Sequence, residues 1–128
     1  MAPELEAAGG PYEPGSPARD VLELLVNRWT ILIVNTLQPG PLRFSELRAA
    51  SGLGAQVLTR TLRSLEENGL VSREVFAEVP PRVEYQLTDL GSTLCPVVHT
   101  IRDWAERHAN DLAVARDRFR RKASKARP

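Results

Sequence analysis

The 128-residue chain has a single cysteine, Cys95, so it can hold neither an internal disulfide nor a cysteine-rich zinc site. It has no apolar run approaching the roughly 18–20 residues that cross a bilayer. Its first stretch, MAPELEAAGGPYEPGSP, lacks the basic and apolar regions of a secretory signal. A glycine-rich phosphate loop and a nucleophile elbow are also missing. His99 and His108 stand nine positions apart, roughly 180° around a helix, so one helix cannot turn both toward one metal. His99 and Asp103 share a helix face, a commonplace pair that is usually structural. Cys95 has only His99 as a neighbouring activator and reads as an inert buried thiol. These absences point away from a membrane protein, a disulfide scaffold and an enzyme. The expectation is a soluble cytoplasmic protein with no cofactor and no metal.

A surplus of one sign of charge is missing as well. The net charge is +1, but its distribution is uneven. Residues 114–128 carry seven bases (Arg116, Arg118, Arg120, Arg121, Lys122, Lys125, Arg127) against Asp117, and the other 113 residues hold 10 bases and 15 acids. Any affinity for nucleic acid must therefore come from where arginines are placed, aided by the tail, because bulk charge does not supply it.

What is present is a patterned chain. With 42% hydrophobic and 26% charged residues it fits one globular domain. Residues 1–15, rich in Pro, Gly, Ala and Glu, read as a disordered leader. Ser16-Pro17 matches a helix start, with Ser as N-cap and Pro at the first helical position. Val21, Leu22, Leu24, Leu25 and Trp29 follow at helical spacing, with a break near Asn27. WTILIVNTLQ is apolar nearly all round, as a central buried helix should be, and Pro39-Gly40-Pro41 ends it. A short third helix opens at Phe44-Ser45-Glu46-Leu47, with Ser45 as the expected N-cap, and Gly52 stops it.

A fourth helix is expected over about 55–68, closed by Gly69. At 100° per residue, Val57, Leu58, Thr61, Leu62 and Leu65 fill one arc. Gln56, Thr59, Arg60, Arg63 and Glu67 fill the opposite one. The period then changes to two: LVSREVFA and RVEYQLT read as a β-hairpin with a Pro-stiffened tip at 78–82. A long last helix is expected from near Thr88, with Pro96 kinking it or marking a late start. Its apolar stripe of Leu90, Leu94, Val97, Val98, Ile101, Trp104, Ala105, His108 and Leu112 exceeds what so small a core needs, and calls for a partner helix. The fold class is mainly α with a small β-hairpin (α+β), and the order of elements is that of a winged helix-turn-helix.

The residues resemble those of the HxlR-type branch of the MarR-like winged-helix transcription regulators. The likeness is carried by Trp29, by Arg43-Phe44-Ser45-Glu46-Leu47 and by LTRTLRSLE at 58–66. It continues through Asn68-Gly69-Leu70-Val71, Arg73, VPPRVEY at 79–85, Leu87-Thr88, Gly91, Leu94, Pro96, Trp104 and His108, and so spans roughly 16–110. Family members often begin the domain with Cys-Pro, whose cysteine serves some as a redox or electrophile sensor. Here Ser16-Pro17 stands in its place, so that sensing mode does not carry over. Where family members often have Gly-Gly or Gly-Lys before the first Trp, this chain has Val26-Asn27-Arg28. The small polar N-cap of the recognition helix is Gly54, an exchange costing only a few tenths of a kcal/mol.

The resemblance implies a recognition helix at about 55–68 in the major groove and a wing at about 71–88 on the backbone or minor groove. Gln56, Thr59, Arg60 and Arg63 would then reach bases or phosphates, Gln suiting an adenine edge and Arg a guanine edge. The same arc, taken by itself, is also what the solvated face of a core helix looks like. Glu66 and Glu67, at the far end, should stay away from phosphates. Arg82 is the better wing contact, whereas Arg73 either joins it or pairs with Glu84 across the hairpin. Arg43 and Arg48 are further phosphate candidates from the short helix. Trp29, Ile33, Trp104 and His108 are expected in core or dimer packing, or, by resemblance, around a cavity for a small effector.

The resulting expectation is a repressing regulator that binds a pseudo-palindromic double-stranded DNA operator as a homodimer. The domain would cover 16–113, with 114–128 a basic tail, helical or disordered. The dimer would form through the first helix and the long last helix, with Leu94, Val98, Ile101, Ala105 and Leu112 at the seam. The implied location is the bacterial cytoplasm, on the nucleoid when bound. The rival is a dimeric protein-interaction module on the same fold that binds no DNA.

Overall fold

A computed structural model describes residues 13–126. The leader expected at 1–15 lies outside the described residues except for its last three, and so do the final two residues of the tail. Residues up to Cys95 make one compact unit, and those from Pro96 onward make a second.

Helix α1 (Pro17–Leu25) starts as its sequence indicates. Ser16 is extended and its hydroxyl accepts from the Arg19 N–H at 3.1 Å, with Pro17 in the first turn. Asn27 breaks the chain and caps α2 (Arg28–Leu37), its side-chain oxygen accepting from the Trp29 N–H at 2.9 Å. Helix α2 touches α1, α3, α4 and β3, which is why its sequence is apolar on nearly every side.

Strand β1 (Leu42–Arg43) runs directly into α3 (Phe44–Ser51). The N-cap here is Arg43, not Ser45. Arg43 is extended because it pairs with Glu84 of the sheet, and its N–H donates to Glu46 Oε1 at 2.8 Å. Phe44 packs against the core from the first helical position, leaving Ser45 exposed within the first turn. Gly52 closes α3 in the left-handed region (φ 74°), where glycine carries no Cβ penalty.

Helix α4 (Ala55–Glu67) begins at Gly54 without a side-chain cap. It ends in a full C-terminal motif: Gly69 (φ 73°) donates to Glu66 O at 3.1 Å and Leu70 to Leu65 O at 2.9 Å. Leu58, Leu62 and Leu65 are buried. With Ile33, Leu37, Leu47, Leu53, Leu70 and Val71 they form the core under α4.

Strands β2 (Val71–Phe76) and β3 (Arg82–Leu87) pair antiparallel, and β1 adds on the other side of β3. The sheet therefore has three strands, one more than the hairpin alone. The register sets Arg73 opposite Tyr85, Glu74 opposite Glu84, and Phe76 opposite Arg82. Side chains alternate along a strand. Arg73, Tyr85 and Leu87 thus share the face that also carries buried Val71, and Glu74, Phe76, Arg82 and Glu84 share the other.

No single helix starts at Thr88. Thr88 caps a short α5 (Asp89–Ser92), accepting from the Gly91 N–H at 3.0 Å and donating to Gly69 O at 2.6 Å. A Cβ on Gly91 would collide with the Leu70 carbonyl oxygen, so the chain can pass here only as glycine. The long helix α6 (Cys95–Ala126) starts afresh, with Pro96 at its second position, where the missing N–H costs no intrahelical bond. It continues through the basic segment as far as Ala126.

Candidate nucleic-acid interface

Burying the leucine arc of α4 turns its polar arc outward. Gln56, Thr59, Arg60 and Arg63 are all exposed. Together with Ala55 they ring one shallow depression of about 380 Å³. Among the described residues, neither arginine of this set has a carboxylate partner. The helix that carries them is fixed from behind by Leu58, Leu62 and Leu65, so their spacing is rigid while their ends remain available to a ligand.

Thr59 and Arg63 also face a second hollow, of about 470 Å³, between α4 and the sheet. Its other walls are Glu66, Glu67, Arg73 and Tyr85 over Leu62. Arg73 meets Glu66 here, with Nε to Oε2 at 3.6 Å. The expected Arg73–Glu84 alternative fails on register: Glu84 lies opposite Glu74, on the other face of the hairpin. Glu66 and Glu67, at the far end of α4, both line this hollow.

Arg82 is on that other face and is fully engaged. Its Nε donates to Glu78 Oε2 at 2.7 Å and its Nη1 to Glu84 Oε2 at 2.7 Å. Its guanidinium lies 4.0 Å from the Phe76 ring centroid. The Glu78 hydrogen bond raises its pKa above the ordinary arginine value, opposed by desolvation and reinforced by Glu84. The two wing arginines thus point in opposite directions. Arg43 is exposed at the joint of β1 and α3, and Arg48 is exposed on α3.

The remaining sequence candidates divide between the two units. Ile33 is completely buried and is a core residue. Trp29 is half-buried, with the Arg28 guanidinium 4.2 Å from its ring centroid. It borders a recess of about 350 Å³ with Asn27, Thr30 and Arg60. On α6 the Trp104 and His108 rings lie 4.7 Å apart at 41°, and His108 Nδ1 is 3.4 Å from Asp111. Ile101, Trp104, Leu112 and Phe119 are exposed, Leu94 is half-buried and Val98 is buried.

A supporting helix, a recognition helix with an outward polar arc, and a flanking hairpin define a winged helix-turn-helix DNA-binding domain. The chain belongs to the HxlR-like helix-turn-helix family, whose profile matches residues 24–113. It is 36% identical over 110 residues to the uncharacterized HTH-type transcriptional regulator YtfH of Escherichia coli, covering 85% of this chain and 87% of that protein. An uncharacterized HTH-type transcriptional regulator of Methanothermobacter thermautotrophicus is 43% identical over 94 residues, covering 70% of this chain and 72% of that protein. The solved structure of YtfH from Salmonella typhimurium superposes with a TM-score of 0.74 at 34% identity, covering 83% of this chain and 96% of that one. The protein is a transcriptional regulator with a helix-turn-helix DNA-binding domain, and not an enzyme. Among the described residues, no helix is long and apolar enough to cross a membrane.

Proposed function

We propose that this regulator acts in the cytoplasm as a homodimeric repressor on a pseudo-palindromic operator. Helix α4 lies in the major groove, and the β2–β3 wing contacts the adjacent backbone or minor groove. The observation that carries this reading is the cluster of Gln56, Thr59, Arg60 and Arg63 around one depression, exposed and without carboxylate partners among the described residues. Two arginines and a glutamine on a rigid helix suit base edges, each good bidentate contact discriminating by about 1–3 kcal/mol. Arg73, Arg43 and Arg48 supply phosphate contacts around them.

The second subunit is supported by α6. A helix of 32 residues with exposed Ile101, Trp104 and Leu112 on one stripe suits an isologous partner. Dimerisation sets the two α4 helices about 34–36 Å apart, one turn of DNA. Response to a small effector is supported by the resemblance and by the Trp29 recess, which shares Arg60 with the recognition helix.

Fluorescence anisotropy on duplexes selected from the source genome tests the reading. The expected result is tight binding to selected duplexes, weaker binding to unrelated ones, and affinity that falls steeply with salt. Absence of any salt-dependent DNA binding would leave the protein-interaction module as the function. A reporter gene behind the selected operator, falling in expression when the protein is supplied, tests repression.

A further inference from the structure

The hollow between α4 and the wing shares Thr59 and Arg63 with the major-groove face and adds Arg73 and Tyr85 from the sheet. Its rim carries four groups that can donate hydrogen bonds: the Thr59 hydroxyl, the Arg63 and Arg73 guanidinium groups, and the Tyr85 hydroxyl. They come from three elements. Thr59 and Arg63 lie one turn apart on α4, Arg73 is on β2, and Tyr85 stands directly across from Arg73 on β3. Leu62, only 2% exposed, forms the floor. Two carboxylates, Glu66 and Glu67, line the same hollow. In the free protein Glu66 pairs with Arg73, Nε to Oε2 at 3.6 Å, while Arg63 has no carboxylate partner among the described residues. The pair is well solvated, with side chains 50% and 39% exposed. Such pairs are weak and easily exchanged.

We propose that this hollow is a seat for one phosphodiester of the DNA backbone, and that Glu66 is a placeholder that the phosphate displaces from Arg73. The inference rests on the DNA-binding reading above and adds to it a site, a ligand group and a competing residue. A phosphodiester offers the same anionic oxygens as the carboxylate, and unlike Glu66 it can also take the Thr59, Arg63 and Tyr85 donors. Forming the contact costs the Glu66–Arg73 pair, so Glu66 lowers affinity for every duplex alike. Gln56 and Arg60, which lie outside the hollow, face base edges, and the exchange leaves their sequence preference unchanged. Glu66 is a positioning residue here: it acts on DNA through Arg73.

A double-mutant cycle of Glu66→Gln and Arg73→Gln in the full-length chain tests this, read by anisotropy against a selected operator and an unrelated duplex over a series of salt concentrations. Both side chains are exposed, so neither change threatens the fold. Glu66→Gln is expected to tighten binding to both duplexes by up to about fivefold. The slope of log affinity against log salt should stay close to the parent's, because Arg73 neutralises the same phosphate in both proteins. In the Arg73→Gln background the same change is expected to do nothing. Equal gains in both backgrounds overturn the proposal, because Glu66 would then act only as a distant negative charge. Weaker binding by Glu66→Gln overturns it too. A parent protein that binds no duplex in a salt-dependent way defeats the DNA-binding reading itself. A parent that binds, with an additive cycle, removes only the seat.

Discussion

Arg73 faces Tyr85 across the wing, and with it the α4 side of the sheet. One residue of register decides this. Had Arg73 faced Glu84, it would have been locked into the outer face, where Glu78 and Glu84 already hold Arg82. The wing's two arginines therefore have different tasks. Arg73 stands next to the recognition helix, and Arg82 ties the outer face together.

The outer-face role of Arg82 has a consequence that charge alone does not give. A guanidinium can fork between Glu78 and Glu84 while lying on Phe76, whereas an ammonium is a point charge. Arg82→Lys is therefore expected to loosen residues 77–81 nearly as much as Arg82→Ala does, seen as faster amide exchange at the tip. Both variants should bind all duplexes less tightly, because a loosened wing docks less well against the backbone. A tip protected as in the parent in Arg82→Lys would show that the clamp does not order the wing.

Arg63 belongs to both hollows on α4, so its loss should carry two signatures. Arg63→Ala is expected to weaken operator binding by about 1–3 kcal/mol and to relax preference at one base position. Binding to random DNA should also fall, by a smaller amount, through the lost phosphate contact. Parent-like binding of both duplexes would remove α4 from the major groove.

Much of this geometry was legible in the chain, and the illegible parts share a cause. The leucine arc of α4 is a local pattern at period 3.6, and the hairpin a local pattern at period two; both are found where expected. Gly69 reads as a helix stop and is one. Strand β1 has only two residues and exists because Leu42 and Arg43 pair with Tyr85 and Glu84, some forty positions away in sequence. No local pattern encodes that pairing, and it is what moves the start of α3 back to Phe44 and its cap to Arg43. The partner of Arg73 depends on the parity of the five-residue tip, which composition does not fix. Ile33 is a candidate effector contact only through the family resemblance, and its own sequence neighbourhood does not tell a cavity wall from a core position. Only the packing of α2 amid α1, α3, α4 and β3 shows that it is sealed.

Gly91 is the position where that packing is least tolerant. Its Cα lies against the Leu70 carbonyl, just past the helix stop that ends α4. Gly91→Ala must push α5 away from Leu70, breaking the Thr88 contacts to Gly69 O and the Gly91 N–H. Overpacking of this kind costs about 1–3 kcal/mol, and more where backbone must move. The urea midpoint should fall accordingly, with m unchanged. Gly54→Ala, with open space around its Cβ site, should be much milder. Equal midpoints for Gly91→Ala and the parent would contradict the close approach.

The exposed stripe of α6 gives the last prediction, and it separates assembly from DNA contact. Ile101 and Leu112 are 43% and 39% exposed and three turns apart on one face. A carboxylate there costs the single chain little, because the side chain already meets water. In a dimer seam it must be desolvated opposite its own symmetry mate, a like charge. Ile101→Asp with Leu112→Asp is therefore expected to leave the thermal unfolding of dilute protein nearly unchanged while shifting sedimentation from dimer to monomer. Operator affinity should drop by well over tenfold, since one winged domain reads only half of a palindrome, and binding to a single half-site should persist. A doubly substituted protein that still sediments as a dimer would place the seam elsewhere on the chain.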